Sequence, residues 1–353
     1  MKIKVGVLGA TGAVGQRFVQ LLANHPYFEL TVLAASERST GKTYQEATNW
    51  ILTEPMPADL AHQAVEPIST DLDCQLLFSA LPTTQAKEWE SQLAAAGYGI
   101  FSNAGAHRMD TDVPLLIPEV NPDHLGLLAH QQVNRGWRRG FIVTNPNCTA
   151  MPMTMALAPL HARFGVTAVV ATSMQALSGA GYPGVPSLDA IDNILPYVAE
   201  SEEIKMNEEP NKMLGRSNGQ HVEPAGIAIS AHCNRVPVSD GHTVTVSVSF
   251  KDKPTLDDIL AAWRNWNPLP QQLNLPWAPL PALVVRAEPN RPQPRLDRDA
   301  GRGMATTIGR LRPCPVLDVR FVCLAHNTIR GAAGGSVLNA ELMFAQGMLD
   351  TFK

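Results

Sequence analysis

The glycine-rich stretch Gly9-Ala-Thr-Gly12-Ala-Val-Gly15 constrains the fold more than any other part of the chain. It follows the apolar run Ile3–Leu8, which predicts a strand, and it opens Val14–Ala23, which predicts an amphipathic helix. Glycines allow a sharp turn and a close approach of the backbone to a pyrophosphate, and the free amides at the helix start bind the anion. A plain tight turn is the alternative, but the strand–turn–helix context favours a dinucleotide site formed by Gly9, Thr11, Gly12, Ala13, Val14 and Gly15.

Strand-like and helix-like segments alternate along the rest of the N-terminal part of the chain. Such alternation predicts βαβ units around a mostly parallel sheet. The fold class expected is therefore α/β, with a Rossmann-like dinucleotide-binding domain over residues 1–147. The strand-like segments are Thr31–Ala35, Leu76–Ser79, Tyr98–Ser102 and Phe141–Thr144, and the helix-like segment is Gln85–Ala96.

The middle of the chain has a different pattern. Val166–Met174 and Thr243–Phe250 are rich in β-branched residues, and polar and apolar residues alternate in the second of them. This pattern predicts half-buried strands, and hence a second α/β domain with a mixed sheet over residues 148–330. Residues 268–303 are rich in proline and arginine and are predicted to form a long surface excursion. Residues 331–353 predict a glycine-rich turn and an apolar helix that returns to the first domain.

The composition excludes several classes of function. The chain has 353 residues and a formal net charge of −4, so it lacks the general basic surface that binding to nucleic acid or an anionic membrane would require. No apolar run approaches the roughly 18 residues of a membrane span, and the N-terminus lacks a signal-peptide pattern, which predicts a cytoplasmic protein. The five cysteines are scattered and odd in number, which predicts neither a disulfide framework nor a metal site.

The residues after the second predicted strand indicate which form of the dinucleotide is bound. An acidic side chain at this place usually binds the ribose 2′-hydroxyl of NAD. Here Ser36, Arg38 and Ser39 offer two hydroxyls and a guanidinium, which suit the 2′-phosphate of NADP. Glu37 lies among them and leaves NAD open, and Arg38 alone is also consistent with a solvated loop. The pattern favours NADP(H) as the cofactor.

The segment TNPNCTAMP, residues 144–152, puts Cys148 between the predicted strand Phe141–Thr144 and a long apolar, helix-like segment. A helix N-terminus stabilises a thiolate through its dipole and its free amides. A lone cysteine is more often a small buried hydrophobe, but the immediate neighbours of Cys148 are polar. The sequence therefore predicts that Cys148 is a nucleophile presented as a thiolate.

A reactive thiol needs a base, and the stretch NRVPVSDGH offers the best candidate. His242 follows an Asp-Gly turn and begins the alternating strand, where an imidazole can deprotonate the thiol and later protonate a leaving group. Arg235 precedes it in the same stretch and can bind a carboxylate through two hydrogen bonds. The alternative for Arg235 is an ordinary surface arginine.

With these parts together, the chain resembles the aspartate-semialdehyde dehydrogenase family, in its archaeal and fungal branch, over nearly its whole length. The resemblance implies NADPH-dependent reduction of L-aspartyl 4-phosphate to L-aspartate 4-semialdehyde through a cysteine thioester, in the pathway to lysine, threonine and methionine. It also implies a homo-oligomer, either a dimer or a tetramer. The segments that carry it include GATGAVG, ASERSTGK, SNAGAHRMD, NPNCTAMP, QALSGAGYPG, NRVPVSDGHT, RPQPRLDRDAG and HNTIRGAAGGSVLNAE.

The resemblance implies roles for individual residues. Cys148 would be the nucleophile, His242 the acid and base, and Gln175 would orient the acyl intermediate. The remaining residues would bind substrate or cofactor: Arg235 the α-carboxylate, Glu209 and Lys212 the α-ammonium and part of the phosphate, Arg108 and Asn103 the phosphate, and Ser178 and Gly179 the nicotinamide end of NADP.

The choice of the acidic residue stays open at this point. The family often carries a compact run of acids and lysine before the Glu209/Lys212 pair, whereas this chain reads Glu200-Ser-Glu-Glu-Ile-Lys205-Met. The ammonium ligand could therefore be Glu202 or Glu203 instead of Glu209. A solvated helix face is the alternative for all these acids.

Other functions are compatible with parts of the pattern. Malonyl-CoA reductase and N-acetyl-glutamyl-phosphate reductase use a cysteine in a similar framework. Both are less favoured, because an amino-acyl phosphate carries a carboxylate, an ammonium and a phosphate, and the predicted site offers an opposite charge for each. A non-catalytic NADP-sensing protein is the rival from another class. It would have no reason to combine Cys148, Gln175, Arg235 and His242.

Overall fold

The computed structural model describes residues 2–353, and its N-terminal half is built on a parallel six-stranded sheet. The strands lie in the order β3-β2-β1-β4-β5-β6, which is that of a doubly wound dinucleotide-binding fold. The elements are β1 Ile3–Leu8, α1 Ala13–Leu22, β2 Phe28–Ala35, α2 Tyr44–Ala47, α3 Ala58–Ala61, β3 Glu66–Pro67, β4 Leu76–Ser79, α4 Thr83–Ala95, β5 Gly99–Ser102, α5 Leu127–Arg135 and β6 Phe141–Thr144. The predicted segments are confirmed, with bounds that differ by a few residues at most.

Helices cover both faces of this sheet, and this explains why its central strands are apolar along their whole length. Every residue of β4, β5 and β6 is buried, as in parallel sheets that have no solvent-exposed face. The strand order reverses direction between β1 and β4, and ligands of such folds bind in the crevice at the carboxyl ends of these strands. The chain leaves the sheet after β6, on the same side as this crevice.

The second half of the chain forms a mixed six-stranded sheet in the order β10-β7-β11-β14-β13-β12. Its strands β7 and β10 are parallel, whereas β11 runs antiparallel to β7 and β14. Together with the first sheet it confirms the predicted fold class. The elements are α6 Ala150–Phe164, β7 Val166–Gln175, α7 Ser187–Ala190, α8 Glu202–Met213, β8 Arg216–Ser217, β9 Val222–Glu223, β10 Ala228–Arg235, β11 His242–Phe250, α9 Leu256–Arg264, α10 Leu269–Gln272, β12 Leu283–Val285, α11 Pro294–Asp297, β13 Thr306–Pro313, β14 Val319–Ala325 and α12 Gly334–Ala345.

Burial along these elements follows from how each one packs. In β11 the side chains of Val244, Val246 and Val248 are buried while the alternate positions are more exposed, as expected for a sheet with one covered face. Helix α6 is buried over Ala150–Leu160, which agrees with its apolar character on all sides. The C-terminal helix α12 packs through Val337 and other apolar residues into the same core cluster as the first sheet.

The prediction of a surface excursion over residues 268–303 was wrong in part. Within this range β12 pairs in parallel with β13 and so forms the edge of the second sheet. The carboxylate of Asp297 is buried and accepts hydrogen bonds from Arg286 and Arg291, at 3.0 Å from the Nε of Arg286. These ion pairs hold α11 against the residues that follow β12, within the same proline-rich segment. In the described range 2–353, no helix combines the length and apolar character needed to cross a membrane.

Candidate active site

Cys148 lies where the chain passes from β6 of the first sheet to α6, which packs against the second sheet. The neighbouring Asn147 caps this helix, because its Oδ1 accepts hydrogen bonds from the amides of Thr149 at 2.8 Å and Ala150 at 3.2 Å. Asn147 also binds helix α8. Its side-chain Nδ2 donates to Glu202 Oε1 at 2.7 Å, and its backbone N–H donates to Glu209 Oε2 at 2.6 Å. The cysteine is therefore presented by a rigid junction between the two sheets.

The structure alters the prediction that Cys148 is a thiolate stabilised by the helix start. The first free amides of α6 bind the side chain of Asn147 and are not available to the sulfur. Burial raises the pKa of the Cys148 thiol to about 12, and the negative charge of Glu202 acts in the same direction. The positive charges of Arg108 and Arg235 oppose this shift. In the absence of substrate the group is therefore a neutral thiol near pH 7.

Three predicted site residues meet because of strand register in the second sheet. Gln175 and Arg235 end the parallel strands β7 and β10 as direct partners, and His242 begins the antiparallel strand β11 beside β7. All three side chains consequently lie at the same end of these strands, and this end faces Cys148. Arg235 Nη1 donates to the carbonyl oxygen of Ala176 at 2.8 Å, which fixes the position of the guanidinium.

His242 contacts the cysteine directly and is fully buried. Its Nε2 lies 3.2 Å from the sulfur of Cys148, and its Nδ1 accepts a hydrogen bond of 3.0 Å from the amide of Ala176. Burial, together with the nearby positive charge of Arg235, lowers the pKa of His242 to about 3. The ring is therefore neutral over the physiological range.

A cavity of about 530 Å³ opens in front of these residues and extends to the carboxyl ends of the first sheet. Residues of both domains line it, so a dinucleotide bound to the first domain and a small substrate can meet at Cys148. Among the residues predicted for the site, those that line this cavity are Val14, Asn103, Arg108, Cys148, Gln175, Ser178, Gly179 and Arg235.

Glu209 and Lys212 do not line this cavity. The Nζ of Lys212 donates to the carbonyl oxygens of Arg108, Asp110 and Val113 at 2.7, 2.7 and 2.9 Å. Glu209 is buried and bonds Arg108 Nη1 at 3.0 Å as well as the amide of Asn147. The ammonium of Lys212 has thus used its donors on the backbone, and the structure does not support the predicted contact of this pair with substrate.

Glu202 and Lys205 line the cavity instead, from the first turn of α8. Lys205 Nζ lies 3.3 Å from Glu202 Oε2, while Glu202 Oε1 accepts hydrogen bonds from Asn147 and from Gln175 Nε2 at 3.3 Å. Both pairs have the same spacing, Glu-x-x-Lys, one at each end of the helix. Spacing alone could not choose between them, because the choice depends on which end of α8 faces Cys148.

Arg108 and Asn103 form the wall of the cavity that belongs to the first domain. Arg108 Nη2 donates to the Asn103 carbonyl oxygen at 2.7 Å, and its ion pair with Glu209 holds the guanidinium in place. Within residues 2–353, neither the Oδ1 nor the Nδ2 of Asn103 has a hydrogen-bond partner, although both atoms are buried. Such unpaired groups need a partner, and a polar ligand in the cavity can supply one.

The geometry at the start of α1 fits a dinucleotide. Gly9 has a φ of +74°, and a side chain at Gly15 would come within 2.1 Å of the Gly9 carbonyl oxygen. These positions keep the turn tight and leave the amides of the first helical turn open toward the crevice. After β2, Ser36 and Arg38 are exposed in a turn, with Ser39 partly exposed beside them. This turn is open to a ligand that extends along the carboxyl edge of the sheet.

Two further residues were missed by the sequence analysis. Asn327 is buried and joins the turn before β11 to the segment after β7, because its Oδ1 accepts from the Gly241 amide at 2.8 Å and its Nδ2 donates to Ser178 Oγ at 2.8 Å. Gly331 packs against Cys148, and a Cβ there would lie 2.8 Å from that of the cysteine. Both belong to the segment HNTIRGAAGG, which carried the resemblance but suggested no individual role.

Comparisons with known proteins agree with this geometry. The family described as "Semialdehyde dehydrogenase, NAD binding domain" matches residues 4–128, and "Semialdehyde dehydrogenase, dimerisation domain" matches residues 157–330. The first half of the chain is thus a nicotinamide-dinucleotide-binding domain, and the second is of a kind that forms subunit contacts.

Full-length relatives are also similar. The aspartate-semialdehyde dehydrogenase of Archaeoglobus fulgidus is 52% identical over 98% of this chain and 99% of its own length. That of Cryptococcus neoformans is 43% identical over 99% and 98% of the two chains. A crystal structure of the Candida albicans aspartate semialdehyde dehydrogenase with NADP superposes with a TM-score of 0.90, at 39% identity, over 99% of this chain and 100% of that one. The chain belongs to the aspartate-semialdehyde dehydrogenase family.

Proposed function

We propose that the protein reduces L-aspartyl 4-phosphate to L-aspartate 4-semialdehyde with NADPH and releases phosphate, in the pathway to lysine, threonine and methionine. The observation that carries this proposal is the cavity that brings Cys148, Arg235, Glu202 and Arg108 together from both domains. The similarity to aspartate-semialdehyde dehydrogenases of Archaeoglobus fulgidus and Cryptococcus neoformans supports the same reaction.

The charges around Cys148 match the groups of such a substrate. Arg235 would bind the α-carboxylate, since its guanidinium offers two parallel donors. Glu202 would bind the α-ammonium. Arg108, with Lys205 and the carboxamide of Asn103, would hold the phosphate. A coenzyme A thioester has no α-ammonium or acyl phosphate, so this arrangement favours the amino-acyl phosphate over malonyl-CoA.

In this mechanism the sulfur of Cys148 attacks the acyl carbon, the bond to the phosphate oxygen breaks, and a thioester remains on the cysteine. Covalent catalysis of this kind divides one difficult substitution into two easier steps. Gln175 would orient the acyl group from its position beside Glu202. Gly331 would leave room for Cys148, and Asn327 would hold Ser178 beside the turn that precedes β11. NADPH, when bound, supplies the hydride that reduces the acyl group.

The cofactor would be held by the glycine turn Gly9–Gly15 and by the segment after β2. We propose NADP(H), because Arg38 with Ser36 and Ser39 can bind a 2′-phosphate and because the Candida relative was solved with NADP. Ser178 and Gly179 would contact the nicotinamide end. We also propose a homodimer or homotetramer built on the second domain, which matches a dimerisation family.

The direct test is phosphate-dependent reduction of NADP with aspartate 4-semialdehyde, with malonate semialdehyde plus coenzyme A as the parallel assay. We expect turnover only in the first. Turnover only in the second would keep a cysteine mechanism but remove the proposed roles of Glu202, Lys205 and Arg108. No turnover in either would overturn the proposed function.

Substitution of two glutamates on α8 tests which end of this helix binds substrate. Glu202→Gln should raise KM for aspartate semialdehyde about 10- to 100-fold, since a charged hydrogen bond contributes about 1.5–3 kcal/mol. Glu209→Gln should instead lower the thermal unfolding midpoint, because it weakens a buried ion pair with Arg108. Steady-state kinetics and thermal unfolding of both variants decide whether Glu202 or Glu209 binds the substrate ammonium. A reversed pattern would return the ammonium site to Glu209.

Arg38→Ala tests the preference for NADP. Loss of a charge-assisted contact with the 2′-phosphate should raise KM for NADPH about 10- to 100-fold. KM for NADH should stay nearly constant, because NADH has no such phosphate. Lys251→Ala removes an exposed positive charge from the second domain and serves as the matched control. An equal change for both cofactors would assign Arg38 to a solvated loop.

A further inference from the structure

Glu90 is a fully buried acid that the proposed mechanism does not use. It lies in α4, where the neighbouring Lys87 and Glu88 are exposed to solvent. Glu90 is 0% exposed, although acidic side chains are almost never fully buried without a partner. Within residues 2–353, Ser102 Oγ donates to its Oε1 at 2.7 Å, and its Oε2 has no hydrogen-bond partner. The place of Ser102 in the fold therefore indicates what Glu90 does.

Ser102 is the last residue of β5 and directly precedes the wall of the cavity that belongs to the first domain. Its hydroxyl gives its one proton to Glu90, which leaves the oxygen free to accept from the amide of Ala104 at 3.1 Å. This bond closes a turn around Asn103. The carbonyl oxygen of Asn103 in turn accepts from Arg108 Nη2 at 2.7 Å. A continuous series of contacts thus runs from Glu90 to the guanidinium at the cavity.

We infer that Glu90 is a positioning residue for the phosphate site, which acts through the Ser102 hydroxyl to hold Asn103 and Arg108 at the cavity. The inference rests on the proposed function for the identity of the anion. Glu90 is buried and does not line the cavity, so it acts only through other residues. Without an acceptor at this place, the Ser102 hydroxyl would be free to rotate, and the turn around Asn103 would lose its fixed geometry.

The surroundings of Glu90 favour a neutral acid. Burial raises the pKa of its carboxyl group, while the hydroxyl of Ser102 and the nearby His107 and Arg108 oppose this shift. Arg108 already has one carboxylate partner, since Glu209 Oε1 lies 3.0 Å from its Nη1. A second carboxylate nearby would oppose the attraction of a phosphate. A neutral side chain that keeps the acceptor should therefore replace Glu90, whereas an apolar one should not.

The phosphate-dependent reduction of NADP with aspartate 4-semialdehyde tests the inference. Glu90→Leu should raise KM for inorganic phosphate about 10- to 100-fold, because Arg108 loses its fixed position and a charge-assisted contact weakens. KM for NADP should stay within about twofold, because the glycine turn lies elsewhere in the first domain. Glu90→Gln keeps the acceptor and should raise KM for phosphate by less than about threefold. Glu88→Leu, on the exposed face of the same helix, is the matched control.

Two outcomes of these kinetics would contradict the inference. An equal rise of KM for phosphate and for NADP in Glu90→Leu would assign Glu90 to general stability. A loss in Glu90→Gln as large as that in Glu90→Leu would show that the acceptor is not what matters.

Ser102→Ala breaks the same bond from the other side and replaces Glu90→Leu if circular dichroism shows that the latter does not fold. It should raise KM for phosphate and leave KM for NADP nearly constant. Where both variants fold, their effects on KM for phosphate should not add in the double variant, since each removes the same bond. Additive losses would mean that Glu90 does not act through Ser102.

Hydrogen exchange tests the inference without turnover. Peptides that cover residues 103–108 are followed by mass spectrometry, with and without inorganic phosphate. In the unmodified protein phosphate should slow exchange in this segment, whereas Glu90→Leu should speed exchange and remove the effect of phosphate. Unchanged exchange in Glu90→Leu would overturn the inference. If the unmodified protein shows no turnover, the proposed function fails, while the protection of this segment by phosphate still decides the role of Glu90.

Discussion

Replacement of Cys148 by alanine is expected to lower kcat/KM for aspartate semialdehyde by about 10⁴-fold or more, because removal of a nucleophile eliminates the covalent route. NADPH binding, followed by fluorescence, should remain close to that of the unmodified protein, since the proposed cofactor contacts come mainly from the first domain. The fold should be retained, because the loss of one sulfur beside an open cavity disturbs little packing.

Cys314→Ala is the matched control, because Cys314 is also partly exposed but lies away from the cavity, after β13. It should show full activity. Turnover of Cys148→Ala at the rate of the unmodified protein would remove the cysteine from the mechanism and, with it, the proposed thioester.

Replacement of Arg235 by leucine should reduce kcat/KM about 100- to 1,000-fold, since a buried charged contact with the substrate carboxylate would be lost. Arg235→Lys should recover only part of this loss, because lysine keeps the charge but cannot form two parallel hydrogen bonds. Steady-state kinetics, with NADPH binding measured in parallel, separates a role of Arg235 in substrate binding from a role in cofactor binding. If binding of NADPH fell together with kcat/KM, a role in substrate binding would be contradicted.

Circular dichroism is needed for both Arg235 variants, because Nη1 also donates to the carbonyl oxygen of Ala176. That bond lies beside the amide that holds His242. A distorted Ala176 would therefore change the thiol chemistry as well as substrate affinity. The alkylation rate of Cys148 in Arg235→Lys reports on this directly, and we expect it to stay nearly constant.

The first domain could be predicted closely, because its information is local. The apolar runs Ile3–Leu8 and Phe141–Thr144 became buried parallel strands, and the glycines at Gly9 and Gly15 became a turn that no larger side chain would fit. Turn chemistry and hydrophobic periodicity depend on near neighbours in sequence, so both can be predicted from the sequence alone.

The segment 268–303 shows the opposite case. Its proline and arginine content led to the prediction of a surface excursion, but β12 pairs with β13 and the buried Asp297 pairs with Arg286 and Arg291. Burial of a charged residue among arginines is a tertiary event, since it becomes favourable only when its partners are fixed in place.

The sequence was sufficient to establish the fold class, the dinucleotide turn, and Cys148, Arg235 and His242 as candidates, because motif spacing and residue chemistry carry that information. Tertiary structure was needed to choose between the ends of α8, where Glu202 and Lys205 face the cavity while Lys212 binds three backbone carbonyls. It was also needed for the contacts of His242, whose Nε2 lies 3.2 Å from the Cys148 sulfur and whose Nδ1 accepts from the amide of Ala176. These contacts arise only when distant strands come together.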